Sequence, residues 1–435
     1  MRLAAGGGCG TGGREGPVKR FLKILLVVVS ALVILAALAP AILSTGFGRW
    51  VVEGCLSVRL NREVSIGGLD VGWMSGVRMQ QLTIAERPEF GDEPFVKLES
   101  LSLPHPLLTI LWDETLSELR VTKAEVSLVR RADGKLSIDD LRGQKEGEKK
   151  PAGPAAPGEA TAREQRSRPG YVAPIRIEGG RLRYSDGPLG TSVVLEEFAA
   201  AATYDHGLIK VTQGRGRLND GALAVEGELD LREKPEPFKV KLSVKDAQAA
   251  GNLWGEGQLA PIMHNPQGKT KGRVSLEVSL AGRGLGKAEL KANLSGESHL
   301  VAREVEIEGS PMIKELVSLL GGVLKIEKDT LTLDEIEAKG RIGGGRVTND
   351  MIRAARGETF TLSMTGYTEF DGKLEYRISV GGTKTDKYLL GLNRYVGVKL
   401  RGTLSKPKFS LGSTSPDTSL LDGLIEQFGG KKAKK

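Results

Sequence analysis

Beyond residue 60, apolar and polar side chains alternate through most of the chain. Alternating pairs and runs occur at Val64/Ile66, Val77/Met79, Leu82/Ile84, Val96/Leu98, Leu101/Leu103, Val126/Leu128, Ile175/Ile177, Leu182/Tyr184, Phe238–Val244, Val274–Leu280, Phe360–Met364 and Leu374–Val380. A period of two is typical of strands that bury one face. Tight antiparallel turns are predicted at Asp133-Gly134, Asp220-Gly221 and Asp371-Gly372, because glycine accepts a positive φ at no steric cost. Gly67-Gly68 and Gly179-Gly180 are also predicted as turns.

Three shorter stretches carry apolar residues at helical spacing. The first, Trp50–Leu60, predicts a short amphipathic helix that ends near Asn61. The second begins at Ser310-Pro311 and ends at Gly321, and the third runs from about Ser415 to Gly429. The apolar stripes of the second and third favour packing against a sheet over contact with a membrane.

A charge-free apolar run, Ile24–Thr45, precedes these elements. About 20 residues of helix cross a bilayer core of about 30 Å, so a transmembrane anchor is predicted at 21–45. The Gly-rich leader, 1–20, is expected to be disordered. Basic residues such as Lys19 and Lys23 are concentrated before the run, so the N-terminus is predicted in the cytoplasm and the body on the other side.

A cleaved signal peptide is the alternative interpretation of this run. Ile24–Ala36 would suit its apolar region, and Ala37-Leu38-Ala39 resembles a cleavage site. Pro40 would then follow the cut, and its tertiary amide makes a poor scissile bond. The retained anchor is therefore favoured.

Composition divides the remainder of the chain. The segment 143–170 is rich in Pro, Gly, Ala and charge and has no large apolar side chain, which predicts a disordered linker. It separates an N-terminal β region, 46–142, from a C-terminal β region, 171–412. Residues 413–435 are predicted to form an amphipathic helix and a basic tail.

The predicted fold is mainly β with few short helices. Antiparallel strands with one aliphatic face need a second layer to cover that face. Two arrangements remain open: stacked β-sandwiches, or one long curled antiparallel sheet whose apolar face forms a groove. A groove next to a membrane anchor would accept acyl chains. The strict alternation with Lys, Glu, Arg and Ser places the groove lining at Val274, Leu276, Val278, Leu280, Leu362, Met364, Leu374, Tyr376, Ile378 and Val380.

Composition also argues against several classes of function. Lys+Arg exceeds Asp+Glu by 62 − 54 = 8, but the charges are dispersed and aromatic residues make up only 5%. A base-stacking surface is not indicated, so no nucleic-acid partner is predicted. Anionic lipid headgroups or solubility explain the positive charge better. Cys9 and Cys55 lie on opposite sides of the predicted anchor, and the four histidines lack a metal-ligand spacing, so neither a disulfide nor a metal site is expected.

Enzyme chemistry is not indicated by any motif. Gly282–Lys287 lacks the first glycine and the Ser or Thr that a phosphate-binding loop needs. The acidic pairs Asp139-Asp140 and Glu196-Glu197 would point to opposite faces of a strand and form no catalytic dyad. No catalytic residue and no cofactor are predicted.

Several segments resemble AsmA-like envelope proteins. In the N-terminal region these are Leu60–Ile84 (LNREVSIGGLDVGWMSGVRMQQLTI), Phe95–Leu103 and Glu118–Leu141. Towards the C-terminus they are Val323–Val347, Phe370–Val380 and Val396–Leu411, the last with a GTL-x-x-P pattern. The order and spacing of these segments carry the resemblance at both ends, whereas residues 190–300 match only in pattern.

This resemblance implies a protein with a single pass in the inner membrane of a Gram-negative envelope and its body in the periplasm. It implies a repeating β-groove related to bridge-like lipid-transfer proteins, and a role in outer-membrane biogenesis. The implied partners are a phospholipid or another envelope lipid and envelope assembly proteins. Binding or transfer of lipid is the leading hypothesis. The alternative is a non-enzymatic periplasmic scaffold that assists outer-membrane protein assembly through an open strand edge.

Overall fold

The computed structural model describes residues 40–109, 113–139, 171–187, 191–249, 256–265, 269–316, 330–357, 360–381 and 396–413. Seventeen strands in these ranges form one sheet. The first nine are β1 (Val64–Gly72), β2 (Gly76–Ile84), β3 (Val96–Leu103), β4 (Leu119–Arg130), β5 (Val172–Asp186), β6 (Thr191–Asp205), β7 (Leu208–Leu218), β8 (Gly221–Asp230) and β9 (Pro237–Gln248). The others are β10 (Lys269–Arg283), β11 (Ser295–Glu308), β12 (Thr330–Gly343), β13 (Arg346–Arg356), β14 (Phe360–Glu369), β15 (Lys373–Gly381), β16 (Val396–Thr403) and β17 (Lys406–Ser413).

Few helices accompany the sheet in the described ranges. They are α1 (Gly46–Leu60), α2 (Glu256–Leu259) and α3 (Lys287–Asn293), with helical turns at 40–43, 261–263 and 311–316. The amphipathic helix predicted before Asn61 is confirmed as α1, which Asn61 ends in the left-handed conformation (φ 52°).

The predicted membrane anchor overlaps the described residues only at 40–45. Within the described ranges, no helix has the length and apolarity needed to cross a bilayer. The predicted leader at 1–20, the linker at 143–170 and the helix and tail beyond residue 413 also lie outside the described residues.

Each strand pairs with the next strand along the chain, from β1 to β17. The pair β4–β5 is parallel, with Leu119 opposite Ile175, and the other described pairs are antiparallel. A parallel pair needs a long crossover, and the predicted linker at 143–170 falls in this connection. The expected long, open, antiparallel sheet is thus confirmed with one exception, whereas a sandwich would need two sheets.

The Asp-Gly turns are confirmed, and the Gly-Gly turns are wrong. Asp220-Gly221 joins β7 to β8, Asp371-Gly372 joins β14 to β15, and Gly134 (φ 82°) turns the chain back after β4. Gly67-Gly68 lies inside β1, and Gly179-Gly180 lies inside β5.

Bulges inside the strands explain this error. The register of β5 against β6 shifts next to Gly179, whose φ is 67°. Gln81 in β2 and Lys123 in β4 also adopt left-handed conformations, with φ of 51° and 47°. The extra residue turns the apolar period of two into a step of three, as between Met79 and Leu82. Bulges bend strands and increase their twist, so together they curl the sheet.

The main hydrophobic core lies on the apolar face of the C-terminal strands. Residues 256–265, which connect β9 to β10, cover this face, and α2 contacts β12, β13 and β14. Ile262 and Met263 from this connection are 1% and 0% exposed. The helix predicted after Ser310 joins the same core at 311–316, so its packing role is confirmed for those residues.

A buried hydrogen-bond network holds this cover in place. Asn349 Nδ2 donates to the Leu259 carbonyl at 3.0 Å, and the Tyr376 hydroxyl donates to Asn349 Oδ1 at 2.7 Å. Thr368 Oγ1 lies 3.0 Å from the same hydroxyl. Burial raises the pKa of Tyr376 well above its usual value, so the hydroxyl keeps its proton. Buried polar groups need partners, so this network fixes the position of Leu259 over the sheet.

At the other end of the strand order, α1 lies along the edge strand β1. Glu53 Oε1 accepts a hydrogen bond from the Ile66 N–H at 2.7 Å, and Ser57 Oγ accepts one from the Val64 N–H at 3.0 Å. A second, smaller core forms where Val52, Leu56 and Leu60 of α1 pack on Val64, Ile66 and Leu69 of β1. Exposed strand edges pair readily with other chains, and α1 already occupies this edge.

Candidate functional site

One apolar face continues across the sheet, because the register places apolar residues opposite one another on successive strands. One row consists of Leu101, Val121, Ile177, Ala200, Gly214, Val225, Leu242 and Val278, from β3 to β10. A second row consists of Leu119, Ile175, Ala202, Val211, Gly227, Val240 and Leu280, from β4 to β10. Neither row contains a charged side chain.

The degree to which this face is covered changes along the sheet. On β11 to β13, Leu300, Ile336 and Ile352 are 0% exposed. From β4 to β10 the larger side chains of the two rows are only half-buried; Leu242 and Val278 pack against the main core, and the others belong to neither hydrophobic core of the described chain. We call this surface the open apolar face; its members are Leu119, Val121, Ile175, Ile177, Val211, Val225, Val240 and Leu280.

The open apolar face is a shallow strip near one end of the strands. Its six strand spacings from β4 to β10, at about 4.8 Å each, give a length of about 29 Å. Small residues, among them Ala202 and Gly227, lie between the larger ones in the register. Leu119 and Ile175 lie near the first residues of β4 and β5, and Leu280 lies near the last residue of β10. We call this end of the sheet, which includes the β1–β2 turn at 73–75, the proximal end.

The groove lining predicted from alternation divides into three groups. Val274, Leu276, Leu362, Met364, Leu374, Tyr376 and Ile378 share the apolar face, but they lie in the main core with exposures of 5% or less. Val278 and Leu280 are half-buried where the open apolar face meets that core. Val380 pairs with Leu362 in the register of β14 and β15, and its side chain lies outside the described residues. Contact of these ten residues with lipid stays a prediction.

Sequence reasoning missed the strip itself at β4–β9, because its signal is weak. Alternation there is interrupted by bulges and by small residues, such as Ala200, Ala202 and Gly214. Pairs such as Val121/Ile177 become one surface only through the parallel β4–β5 register. That register is not encoded in either strand alone.

The opposite face of the sheet is polar and charged. A groove of about 820 Å³ crosses it from β7 to β13, and Lys241, Glu277 and Lys339 are among its lining residues. Hydrogen bonds from Lys339 and His299 hold the pKa of the Glu337 carboxyl below its usual value. Acidic and basic side chains alternate here, so neither sign of charge dominates. In the described part of the chain, no group of three or more His, Cys, Asp or Glu side chains is arranged to hold a metal ion.

A Ser-His-Asp arrangement occurs in the loop between β3 and β4. His105 Nε2 lies 3.2 Å from Asp113 Oδ2, and His105 Nδ1 lies 3.4 Å from Ser117 Oγ. However, Nδ1 accepts a hydrogen bond from the Ser117 backbone N–H at 3.2 Å. Its lone pair is therefore occupied and cannot act as the general base for the serine. The buried ring instead ties the two ends of this loop together.

No protein-family model matches the chain. Protein AsmA of Escherichia coli (strain K12) is 24% identical to the chain over 246 residues. The alignment covers 53% of this chain and 37% of Protein AsmA, so the chain matches well under half of that protein's length. This similarity confirms the chain's resemblance to AsmA-like proteins.

Proposed function

We propose that this chain is an inner-membrane-anchored periplasmic protein that binds lipid acyl chains on the open apolar face. The ligand is a phospholipid or another envelope lipid, and the binding serves lipid transfer in outer-membrane biogenesis. The observation that carries this proposal is the uncovered apolar strip across β4 to β10, with residues such as Ile177 and Val225 half-buried. The similarity to Protein AsmA supports an envelope role, although it covers only 37% of that protein.

The chemistry of the strip favours hydrocarbon over other ligands. Its side chains offer neither charge nor hydrogen-bonding groups, so a polar ligand would lose hydration without compensation. Hydrocarbon gains about 25 cal/mol for each Å² of apolar surface that leaves water. The acyl chains of one lipid occupy one leaflet, about half of the bilayer's hydrocarbon core of about 30 Å, so a strip of about 29 Å is long enough to hold them. Acyl chains therefore fit it in both chemistry and size.

The scaffold alternative is restricted at one of the two edges of the described sheet, β1, while β17 forms the other edge. Strand addition needs free backbone groups on an edge strand. At β1 these groups are engaged by α1, as the 2.7 Å bond from the Ile66 N–H to Glu53 shows. A scaffold that acts by strand pairing would therefore have to use a surface other than this edge.

Site-specific photo-crosslinking in the full-length chain tests the proposal. A benzophenone amino acid at Ile177 or Val225 should capture acyl chains during expression, and mass spectrometry should identify the adducts. Glu178 and Ala224 are matched controls, since each is the neighbouring exposed residue on the polar face. Equal lipid capture at all four positions, or capture at none, would refute lipid binding on this face.

A third pair of positions maps the end of the strip. A crosslinker at Leu280 should capture lipid, since this side chain is half-buried and lies outside the cores. A crosslinker at Ile378 should not, because this side chain is 3% exposed beneath other protein atoms. Strong capture at Ile378 would mean that the C-terminal core opens to admit lipid.

A further inference from the structure

Exposed apolar side chains gather at the proximal end of the sheet. Phe47 and Trp50, in the first turns of α1, are 65% and 67% exposed. Met74 in the β1–β2 turn is 73% exposed, and Leu108 in the β3–β4 loop is 49% exposed. We call these four residues the proximal patch. Large apolar side chains at such exposure, gathered in one region, mark a surface that contacts something apolar.

Direct contacts bring the three elements of the proximal patch together. The Val71 N–H, at the end of β1, donates to Ser44 Oγ at 2.8 Å, which places the start of α1 beside the β1–β2 turn. The Leu107 N–H donates to the Trp73 carbonyl at 2.9 Å, which places the β3–β4 loop against the same turn. The three elements that carry the patch are therefore adjacent at this end of the sheet.

Hydrogen bonds link the described residues of the β3–β4 loop, 104–109 and 113–118. His105 is buried and bonds Ser117 and Asp113 across the loop. Thr109 Oγ1 also donates to the Pro106 carbonyl at 3.1 Å. Leu108 thus lies between residues that these hydrogen bonds hold in place, His105, Pro106 and Thr109.

We propose that the proximal patch rests on the surface of a lipid bilayer, so that the open apolar face begins at that surface. The occupant is indicated by the sequence, because the charge-free run Ile24–Thr45 leads directly into α1 at the patch. The residue types of the proximal patch also favour a bilayer as the occupant, because tryptophan and other large apolar residues favour the boundary between headgroups and acyl chains. Leu119, the first residue of β4, follows the β3–β4 loop, so the strip starts next to the patch.

This inference rests on the proposed lipid-binding function. It specifies that the protein acquires the lipid from the bilayer at the proximal patch. A lipid leaving the bilayer beside Leu108 would reach Leu119 and Ile175 without its acyl chains crossing the polar face. If a partner protein covered the patch instead, the apolar strip would not begin at a bilayer. The following experiment distinguishes this case from bilayer contact.

Fluorescent labels at single cysteines test bilayer contact in the full-length chain. Cys9→Ser and Cys55→Ser remove the native thiols, and nitrobenzoxadiazole is then attached at Met74→Cys or Leu108→Cys. The protein is reconstituted in vesicles of phosphatidylethanolamine and phosphatidylglycerol that carry a nitroxide-labelled lipid. Val58→Cys and Met351→Cys are the controls, since these side chains are 83% and 46% exposed but lie away from the proximal end.

Labels at positions 74 and 108 should lose fluorescence to the nitroxide, and labels at 58 and 351 should keep it. Equal fluorescence at all four positions would overturn the proposal, including the case in which a protein covers the patch. The double variant Met74→Ser/Leu108→Ser gives a second readout. It should reduce lipid capture by a crosslinker at Ile177 in vesicles, but leave capture unchanged with detergent-dispersed lipid.

The two proposals fail in different ways. Unquenched patch labels together with normal lipid capture at Ile177 would overturn the bilayer contact alone. Absence of capture at Ile177 with detergent-dispersed lipid would overturn the lipid-binding function as well, because that assay does not require a bilayer.

Discussion

Two acidic substitutions on the same apolar face are expected to have opposite consequences. Leu276→Asp should unfold the C-terminal part of the sheet, whereas Val225→Asp should be tolerated. Leu276 is 5% exposed and lies between Val244 of β9 and Leu300 of β11, which are 2% and 0% exposed. Val225 lies two strands away in the open apolar face and is only half-buried.

The expected magnitudes follow from burial. Loss of the buried leucine side chain removes about 1.5–3 kcal/mol of transfer free energy. An unpaired carboxylate in the core adds several kcal/mol, so Leu276→Asp should lower the free energy of unfolding by about 4 kcal/mol or more. That is a large share of the about 5–15 kcal/mol that stabilises a typical domain. At Val225 the carboxylate stays hydrated. The free energy of unfolding should therefore fall only by about 1 kcal/mol, because aspartate has a lower strand propensity than valine.

Urea unfolding followed by far-ultraviolet circular dichroism, in one detergent for all variants, measures both effects. Lipid capture by a crosslinker at Ile177 is measured in parallel, and Val225→Asp should reduce it while the fold persists. A Leu276→Asp protein as stable as Val225→Asp would refute the reasoning. It would show that the apolar face at β10 is open, as alternation alone had predicted.

Two further predictions concern buried polar contacts in the described part of the chain. Tyr376→Phe leaves Asn349 and Thr368 each short of a buried partner, so the free energy of unfolding should fall by about 1–3 kcal/mol in a urea titration; a change below about 0.5 kcal/mol would contradict this role. Arg62→Met removes the buried ion pair with Glu86 (2.8 Å) and should lower the free energy of unfolding by about 3–5 kcal/mol. Adding Glu86→Leu should recover most of that loss, and no recovery in this double-mutant cycle would show that the two side chains are not coupled.

Local structure in this protein could be predicted well from the sequence. A hydrophobic residue at every second position makes a strand with one apolar face, whichever strand it pairs with. Asp371-Gly372 forms a tight turn because its glycine reaches φ of 90° without a steric penalty. The helical spacing before Asn61 likewise predicted α1. Each of these features depends on a few consecutive residues.

Bulges mark the limit of such local reasoning. A glycine pair inside β5 has the same composition as a turn, and only the continuing hydrogen bonds to both neighbouring strands identify it as a bulge. The step of three from Met79 to Leu82 is visible in the sequence once its meaning is known. Without knowledge of the strand register, this step of three would be interpreted as the boundary between two short strands.

The sequence by itself determined that nearly every strand carries an apolar face, but the tertiary structure decided which part of that face stays open. Leu276 and Val225 stand in similar alternating contexts, yet one is buried and the other is accessible. The difference arises because the connection at 256–265 folds over strands that are distant in sequence, and Asn349 holds Leu259 there by a 3.0 Å hydrogen bond. Alternation reports which way a side chain points, whereas burial depends on what non-local segment lies above it.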